Sequence, residues 1–435
     1  MNSNRSMKRR TVRTCLQVAA MAGFFSCFAA PAQATVAPPD ASTPVSDRAD
    51  QIHRDAIVID AHADIVLPST SSTYLAADGL SKVDPAKLRA GQVDVVVMAV
   101  AVGPGPRTSE GDAVAKAEAE AKLQAVTRLA EDDPLISIAR TPADITALVE
   151  EAQTALLLGF QNARALGGDV DELDRLHAAG VRVFGLNHLG HNDFSDSSRP
   201  VFNGETGEYE ADEEHGGLSV LGRAAVRRIN QLGGIVDVSQ MSKNATLQAV
   251  TVSTAPVIAS HSNVRQLSNV TRNLSDEEID AIGAQGGVIH IAAFGAYLVD
   301  LSDPELLAAI GKVREQAGLP EAWSYPYELY WEIDDPARRQ SFLRAMRQVI
   351  GPGSVERMID HIDYVVKRIG IDHVGIGTDF NHGGGVAGFT DASEAGNVTR
   401  ALLERGYSEQ DIAKIWGGNF LRVFADTQRA ANPDR

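Results

Sequence analysis

The sequence predicts an α/β fold of the (β/α)8 TIM-barrel type, and three observations carry that expectation. Eight short apolar runs rich in β-branched residues recur along the chain. Helix-length segments separate them, and polar residues suited to chemistry follow the runs rather than interrupt them. Strands that are apolar on both faces imply a parallel sheet covered by helices, and eight such units suggest a closed barrel. A doubly wound open sheet is the alternative. Its glycine-rich phosphate loop is missing after the first run, where His-Ala-Asp stands instead.

In chain order, strands are expected at 56–61 (AIVIDA), 93–102 (VDVVVMAVAV), 155–160 (ALLLGF) and 181–186 (VRVFGL). Four more follow at 234–238 (GIVDV), 256–260 (PVIAS), 287–292 (GVIHIA) and 373–377 (HVGIG). Two segments break the alternation. Residues 198–217 are polar and acidic, as expected of a surface loop beside the fourth strand. Residues 300–353 hold several helical patterns and gather Trp323, Tyr325, Tyr327, Tyr330 and Trp331, a cluster expected to form a lid, an interface or packing on the barrel wall.

Composition excludes several classes of protein. In 435 residues, 44% are hydrophobic and 22% charged, values of a globular chain rather than a disordered, coiled-coil or collagen-like one. The 57 acidic residues against 40 basic ones give a net charge of −17, which repels phosphate and argues against a nucleic-acid partner.

The charge is uneven. Residues 1–34 carry Arg5, Lys8, Arg9, Arg10 and Arg13 and no acid, so the remaining 401 residues carry −22. A basic start, an apolar run from Cys15 to Ala30 and the small-residue site Ala32-Gln33-Ala34 read as a cleaved export signal. The run is shorter than the ~20 residues a spanning helix needs, so no stable membrane anchor is expected after cleavage. Arg9-Arg10 permits a twin-arginine route beside the general one, and the expected location is periplasmic or secreted. The organisation expected is thus signal 1–34, Pro/Ser/Thr-rich linker 35–47, barrel 48–426 and polar tail 427–435. Both cysteines, Cys15 and Cys27, fall in the signal, which leaves the mature chain without disulfides, thiolate nucleophiles or Cys-bound metal.

Polar residues recur at one position of the repeat. The first strand exits through His62 and Asp64, two apart on extended chain and so able to reach one ion. The third ends in Gln161, the fourth in His188, the fifth in Gln240, the sixth in His261 and the eighth in Asp379. Histidine and aspartate at one rim suit a divalent ion such as zinc with an open position for water, whose pKa falls towards ~7 on binding. Asp379 could then shuttle a proton and neutral His188 stabilise an oxyanion. The residues alone lead to an exported, metal-assisted hydrolase on a barrel, with no substrate named.

The segments IDAHADIV, AAGVRVFGLNHLGHNDFSDSS, GLSVLGRAAVRRINQLGGIVDVSQMS, PVIASHSNVRQLSNVTRNLSDEEI, HIDYVVKRIGIDHVGIGTDF and IWGGNFLRVF run in order from about residue 48 to 426. Together they resemble the membrane (renal-type) dipeptidases, zinc metallopeptidases on a (β/α)8 barrel. The resemblance implies a two-zinc site opened by His62 and Asp64, with His261 as a ligand of the second zinc. It further implies His188 beside the tetrahedral intermediate, Asp379 handling the proton and Arg272 holding the substrate's carboxylate. A homodimer is implied by analogy alone.

The chain departs from that pattern at two ligands. Gln161 stands where the family has a bridging Glu, and Gln240 where it has a His. Neutral amides are poor zinc ligands, and losing the Glu removes a negative charge from between two dications. The family's Asp-Phe-Asp-Gly reads Asp379-Phe380-Asn381-His382 here. One zinc per chain is therefore expected, with the second site weak or empty. His191 and His382 are each either a compensating ligand or a loop histidine. The function expected is hydrolysis of dipeptides or related small amides by metal-bound hydroxide, with Asp379→Asn abolishing turnover while metal content stays nearly intact. The alternatives are a catalytically weakened barrel that binds or matures a peptide-derived metabolite in the periplasm, and a hydrolase of another small amide or lactone.

Overall fold

The computed structural model describes residues 44–203, 206–321, 323, 325–330 and 333–431. The expected export signal, most of the linker and Trp331 lie outside the described residues. Nine parallel strands form the sheet: β1 (Ile59–Asp64), β2 (Val95–Ala101), β3 (Ile136–Ala139), β4 (Thr154–Gln161), β5 (Val181–Gly185), β6 (Ile235–Asp237), β7 (Ile258–Ala259), β8 (Val288–Ala292) and β9 (Val374–Gly377). Eight follow one another in the order β1-β2-β4-β5-β6-β7-β8-β9, and these are the eight expected from sequence. The ring nearly closes where the β1 exit meets the residues after β9. There Asp64 N–H donates to the Phe380 carbonyl and Asp379 N–H to the His62 carbonyl, both at 2.9 Å.

The ninth strand, β3, was not expected. It pairs with the lower half of β4 from Thr154 to Leu157, while β5 takes the upper half from Leu158. Four residues with two of them half-buried give no apolar run to read.

Alternation along the strands divides the core. Ile59, Ala61, Val95, Val97, Ala155 and Leu157 belong to an inner cluster completed by Phe420, Val423 and Phe424 of the C-terminal helix Asn419–Ala431. Their neighbours Val96, Met98, Leu156 and Leu158 join the larger cluster under the surrounding helices. That helix continues into the stretch read as a polar tail. At the other end the helix Val45–Asp55 begins inside the stretch read as linker. Space inside the ring is tight: a Cβ on Gly377 would meet the Ser260 carbonyl oxygen at 1.9 Å. Among the described residues no helix is long and apolar enough to cross a membrane.

The two irregular segments both reach the C-terminal rim. Residues 198–217 include a short hairpin, Phe202–Asn203 with Glu208–Tyr209, and turn Arg199 inward to near-complete burial. The helices Pro304–Gln316 and Pro336–Ile350 start on Asp303 and Asp335 caps, each with Pro in the first turn. They share a small separate core with Tyr297, Tyr325, Phe342 and Met346. Tyr325, Tyr327 and Tyr330 from this insert pack in that core and line the cavity over the rim.

Candidate active site and metal centre

Each polar residue expected at the rim lies there, buried, and most converge on one place. The His62 and His261 rings stack at 3.7 Å between centroids. His62 Nε2 lies 3.3 Å from Asp64 Oδ1. Two sets of donor atoms are each mutually within 4.8 Å: His62, His261 and Asp379, and Asp64, Asp379 and His382. Asp379 belongs to both.

Local backbone chemistry explains the convergence. The β1 register slips between Asp60 and Ala63, breaking strand alternation where the polar residues begin. Asp60 accepts from Thr378 N–H (2.8 Å), Thr378 Oγ1 (2.6 Å) and His62 N–H (3.1 Å), tying the ends of β1 and β9 together. Burial pushes its carboxyl up to about 6 in spite of those bonds. Asp237 does the same between β6 and β7, accepting from Ser239 N–H, Ser260 N–H and Ser260 Oγ. Gln240 and Asp379 both have positive φ, at 69° and 57°, so two site residues sit in backbone conformations that side chains disfavour.

The tautomer of His261 follows from its partners. Ser260 Oγ donates to Asp237 at 2.6 Å, so it accepts from His261 Nδ1–H at 2.7 Å. Nε2 then presents a lone pair to the site, and both replaced ligands meet it: Gln161 Nε2 at 3.3 Å and Gln240 Nε2 at 3.4 Å. Arg199 Nη2 donates to Gln240 Oε1 at 3.2 Å, which fixes the amide with its NH2 towards His261. The amides thus donate to the nitrogen that an ion on His261 would need.

Electrostatics separate the titratable groups. Burial lowers His188 and His261 well below the usual histidine range, with neighbouring cations and histidines adding to it, so both are neutral. Burial raises Asp379. Burial also works to raise Asp64, but His382, His62 and Lys122 outweigh it and hold the carboxyl well below its ordinary value. His62 is raised: burial opposes this, while Asp64 and Asp379 overcome it.

A cavity of about 1090 Å³ opens above these residues, with His188, Asp379 and His382 in its wall. Lys82, Arg199, Arg344 and Arg347 add positive charge, and Tyr74 and Tyr297 add aromatic surface. Arg272 is not part of this wall. Its Nη1 donates to Ser262 Oγ at 2.9 Å and its Nη2 to the His261 carbonyl at 2.6 Å, holding the guanidinium at the exit of β7 against Tyr297. Of the two extra histidines, only His382 joins the donor sets. His191 uses both ring nitrogens on the loop, accepting from Ser197 N–H and donating to the Ala211 carbonyl, so the reading of it as a compensating ligand does not hold.

Sequence reasoning missed Arg199, Asp60 and Asp237. Asp60 was readable as a third polar residue at the same two-residue spacing as His62 and Asp64. Asp237 interrupts an apolar strand in the same way. Arg199 stands as the lone cation at the front of an acidic segment, a faint signal at best.

The donor set fits a divalent ion. His62 Nε2, Asp64 Oδ1, Gln161 Oε1 and Asp379 Oδ1 are buried without a well-aligned hydrogen bond, His62 and Asp64 facing each other as an ion pair, an arrangement costly without a ligand.

Comparison with known proteins bears on the family of the chain. The family described as membrane dipeptidase (peptidase family M19) matches residues 46–435. The chain is similar to the dipeptidase tcpJ of Claviceps purpurea, 30% identical over 313 residues that make up 71% of this chain and 59% of that protein. It is 29% identical to the dipeptidase aclJ of Aspergillus oryzae over 63% of this chain and 52% of that protein. The chain therefore spans between half and three-fifths of the length of these two relatives. Among solved structures, the probable dipeptidase PvdM from Pseudomonas aeruginosa superposes with a TM-score of 0.77 at 36% identity, covering 89% of this chain and 99% of that one. A metallopeptidase from Rhodobacter sphaeroides, liganded with a phosphinate mimic of the dipeptide L-Ala-D-Ala, shares the fold at a TM-score of 0.65 and 21% identity, over 86% of this chain and 100% of that one. With a family match along the whole described barrel and the expected rim in place, the chain belongs to the membrane dipeptidase family, peptidase family M19.

Proposed function

We propose that this protein is an exported metal-dependent hydrolase that cleaves dipeptides or related small amides. The observation that carries the reading is the convergence of buried donor atoms on His62, Asp64 and Asp379 under an open cavity. His62, Asp64, Asp379 and His382 are the residues that would hold the metal, zinc being the first candidate; His261, implied as a ligand by the resemblance, has the two amides on its Nε2. A bound divalent ion supplies a Lewis acid and an activated water at neutral pH.

The chain's own residues account for the rest. Asp379, raised by burial, is suited to take a proton from water and return it to the leaving amine. Neutral His188 is suited to donate to the developing oxyanion, as its lowered pKa keeps it from titrating near neutrality. The carboxylate contact falls to Arg199, which lines the cavity, while Arg272 supports the His261 carbonyl. The cavity exceeds the volume of a dipeptide, and its four cationic side chains favour an anionic substrate, peptides longer than two residues included.

The test is metal per chain by mass spectrometry on untagged protein purified without chelator, with dipeptide hydrolysis measured in parallel. Bound zinc with turnover supports the reading; absence of both after zinc is restored sinks it. A second reading, a catalytically weakened barrel that binds or matures a peptide-derived metabolite, is favoured by one observation: the two amides on His261 Nε2.

A further inference from the structure

The resemblance to the family leads to metal sites built on His62, Asp64 and His261. The geometry points to a different centre. We infer that a divalent first-row ion binds on Asp64, Asp379 and His382, a site created by the histidine that follows Asn381. The inference rests on the metal-dependent reading above.

Two observations carry it. The donor atoms of the three residues lie within 4.8 Å of one another. Asp64 and Asp379, 6% and 3% exposed, each have Oδ1 buried without a well-aligned hydrogen bond, facing only imidazoles: His62 Nε2 at 3.3 Å and His382 Nδ1 at 3.8 Å. Two buried carboxylates so close repel each other unless positive charge lies between them, and a divalent ion supplies more of it than the imidazoles alone.

The loop that delivers His382 is braced for the task. Asn381 Nδ2 donates to the Asp64 carbonyl at 2.8 Å and to Ser81 Oγ at 3.0 Å, and its Oδ1 accepts from Lys82 N–H at 2.8 Å. The His382 ring is held between those of Tyr74 and His188, at 5.5 and 4.9 Å between centroids. By contrast, the His261 lone pair already accepts from two amides. Two carboxylates and one imidazole offer two negative charges and borderline-hard donors, which suit Zn²⁺, Co²⁺ or Mn²⁺. One oxygen of Asp379 on the ion leaves its other oxygen for the proton.

The experiment strips the purified, untagged protein with chelator and titrates it with Zn²⁺ alone by calorimetry and with Co²⁺ alone by visible absorption. Variants His382→Ala, His382→Gln and His261→Ala are run beside it. Thermal unfolding of each apo protein shows whether the substitution alone disturbs the fold. The expected result is that both His382 variants weaken the tightest-held ion by about 10- to 100-fold, with apo Tm unchanged and the metal-induced rise in Tm reduced. His261→Ala should keep that ion within about threefold. If His382 variants bind as the parent does while His261→Ala loses the ion, this site is overturned and the metal-dependent reading stands. Equal loss in all three variants overturns a site separate from His261. No ion bound by the parent protein overturns both the site and the reading beneath it. Should His382→Ala lower apo Tm, His382→Gln decides, since it keeps the side-chain bulk.

Discussion

The rim of the barrel and its helical shell both bury histidines, yet they use them in opposite ways. In the shell, His53 donates from Nε2 to the Gly91 carbonyl at 2.9 Å and accepts at Nδ1 from Thr399 Oγ1 at 2.6 Å. His361 accepts at Nδ1 from Val264 N–H at 3.0 Å, bracing the segment that follows β7. These rings are joints in the packing. At the rim, His188 Nδ1 has no hydrogen-bond partner, and His62 Nε2 faces the Asp64 carboxylate at 3.3 Å. Burial alone does not mark function; buried donors and acceptors that converge on one place do. The rim divides again, into the His261 half, where amides have taken the metal-facing nitrogen, and the Asp64–Asp379–His382 half, where acceptors are open.

The largest effect is expected at the residue shared by both halves. Asp379→Asn should cut turnover by about 1000-fold or more, since it removes the proton carrier. Because Asp379 belongs to both donor sets, it should lower metal content too, where the sequence reading expected metal to stay nearly intact. Full metal with no turnover would confine Asp379 to proton transfer.

Reversing the amides addresses the division between the halves. The pair Gln161→Glu with Gln240→His should strengthen metal binding on His261 by about 100-fold, by restoring an anionic and an imidazole ligand. A large gain in dipeptide hydrolysis alongside would favour the lapsed-enzyme reading, and unchanged hydrolysis would favour chemistry run from the His382 half.

Arg199→Met comes next. It should raise KM for carboxylate-bearing substrates by about 10-fold with a smaller change in kcat, the pattern of a lost charge-assisted contact. An equal loss on substrates without a carboxylate would reduce Arg199 to a prop for Gln240 and Tyr297.

A shell histidine supplies the control. Burial, with Arg357 adding, pushes His361 down to about 3. Its folded pKa lies below the unfolded value of ~6.5, so its contribution is complete above that value. The contribution is lost as pH falls towards 3, at about 1.4 kcal/mol per pH unit. His361→Asn keeps an acceptor for Val264 N–H and removes the titration. Urea unfolding between pH 7.5 and 4 should show a shallower acid slope by up to that amount, and parallel curves would refute the assignment.

Sequence alone determined the barrel, because strands buried on both faces must be apolar on both faces and therefore announce themselves. The rim was legible for the same reason: His62, Asp64, His261 and Asp379 stand out immediately after apolar runs. The exchange of two ligands for Gln161 and Gln240 was equally plain, since residue type is what the sequence records. Tertiary structure alone decided whom each side chain meets. His382 and His191 are both histidines in glycine-containing loops, yet one turns towards two carboxylates and the other is locked by Ser197 and Ala211. Arg272 is engaged by the Ser262 hydroxyl and the His261 carbonyl, while Arg199, from a segment that read as surface, lines the cavity. Strands have a side-chain period fixed by the backbone, so their faces can be read from spacing. Loops have none, and their side chains are aimed by hydrogen bonds to residues far away in the chain.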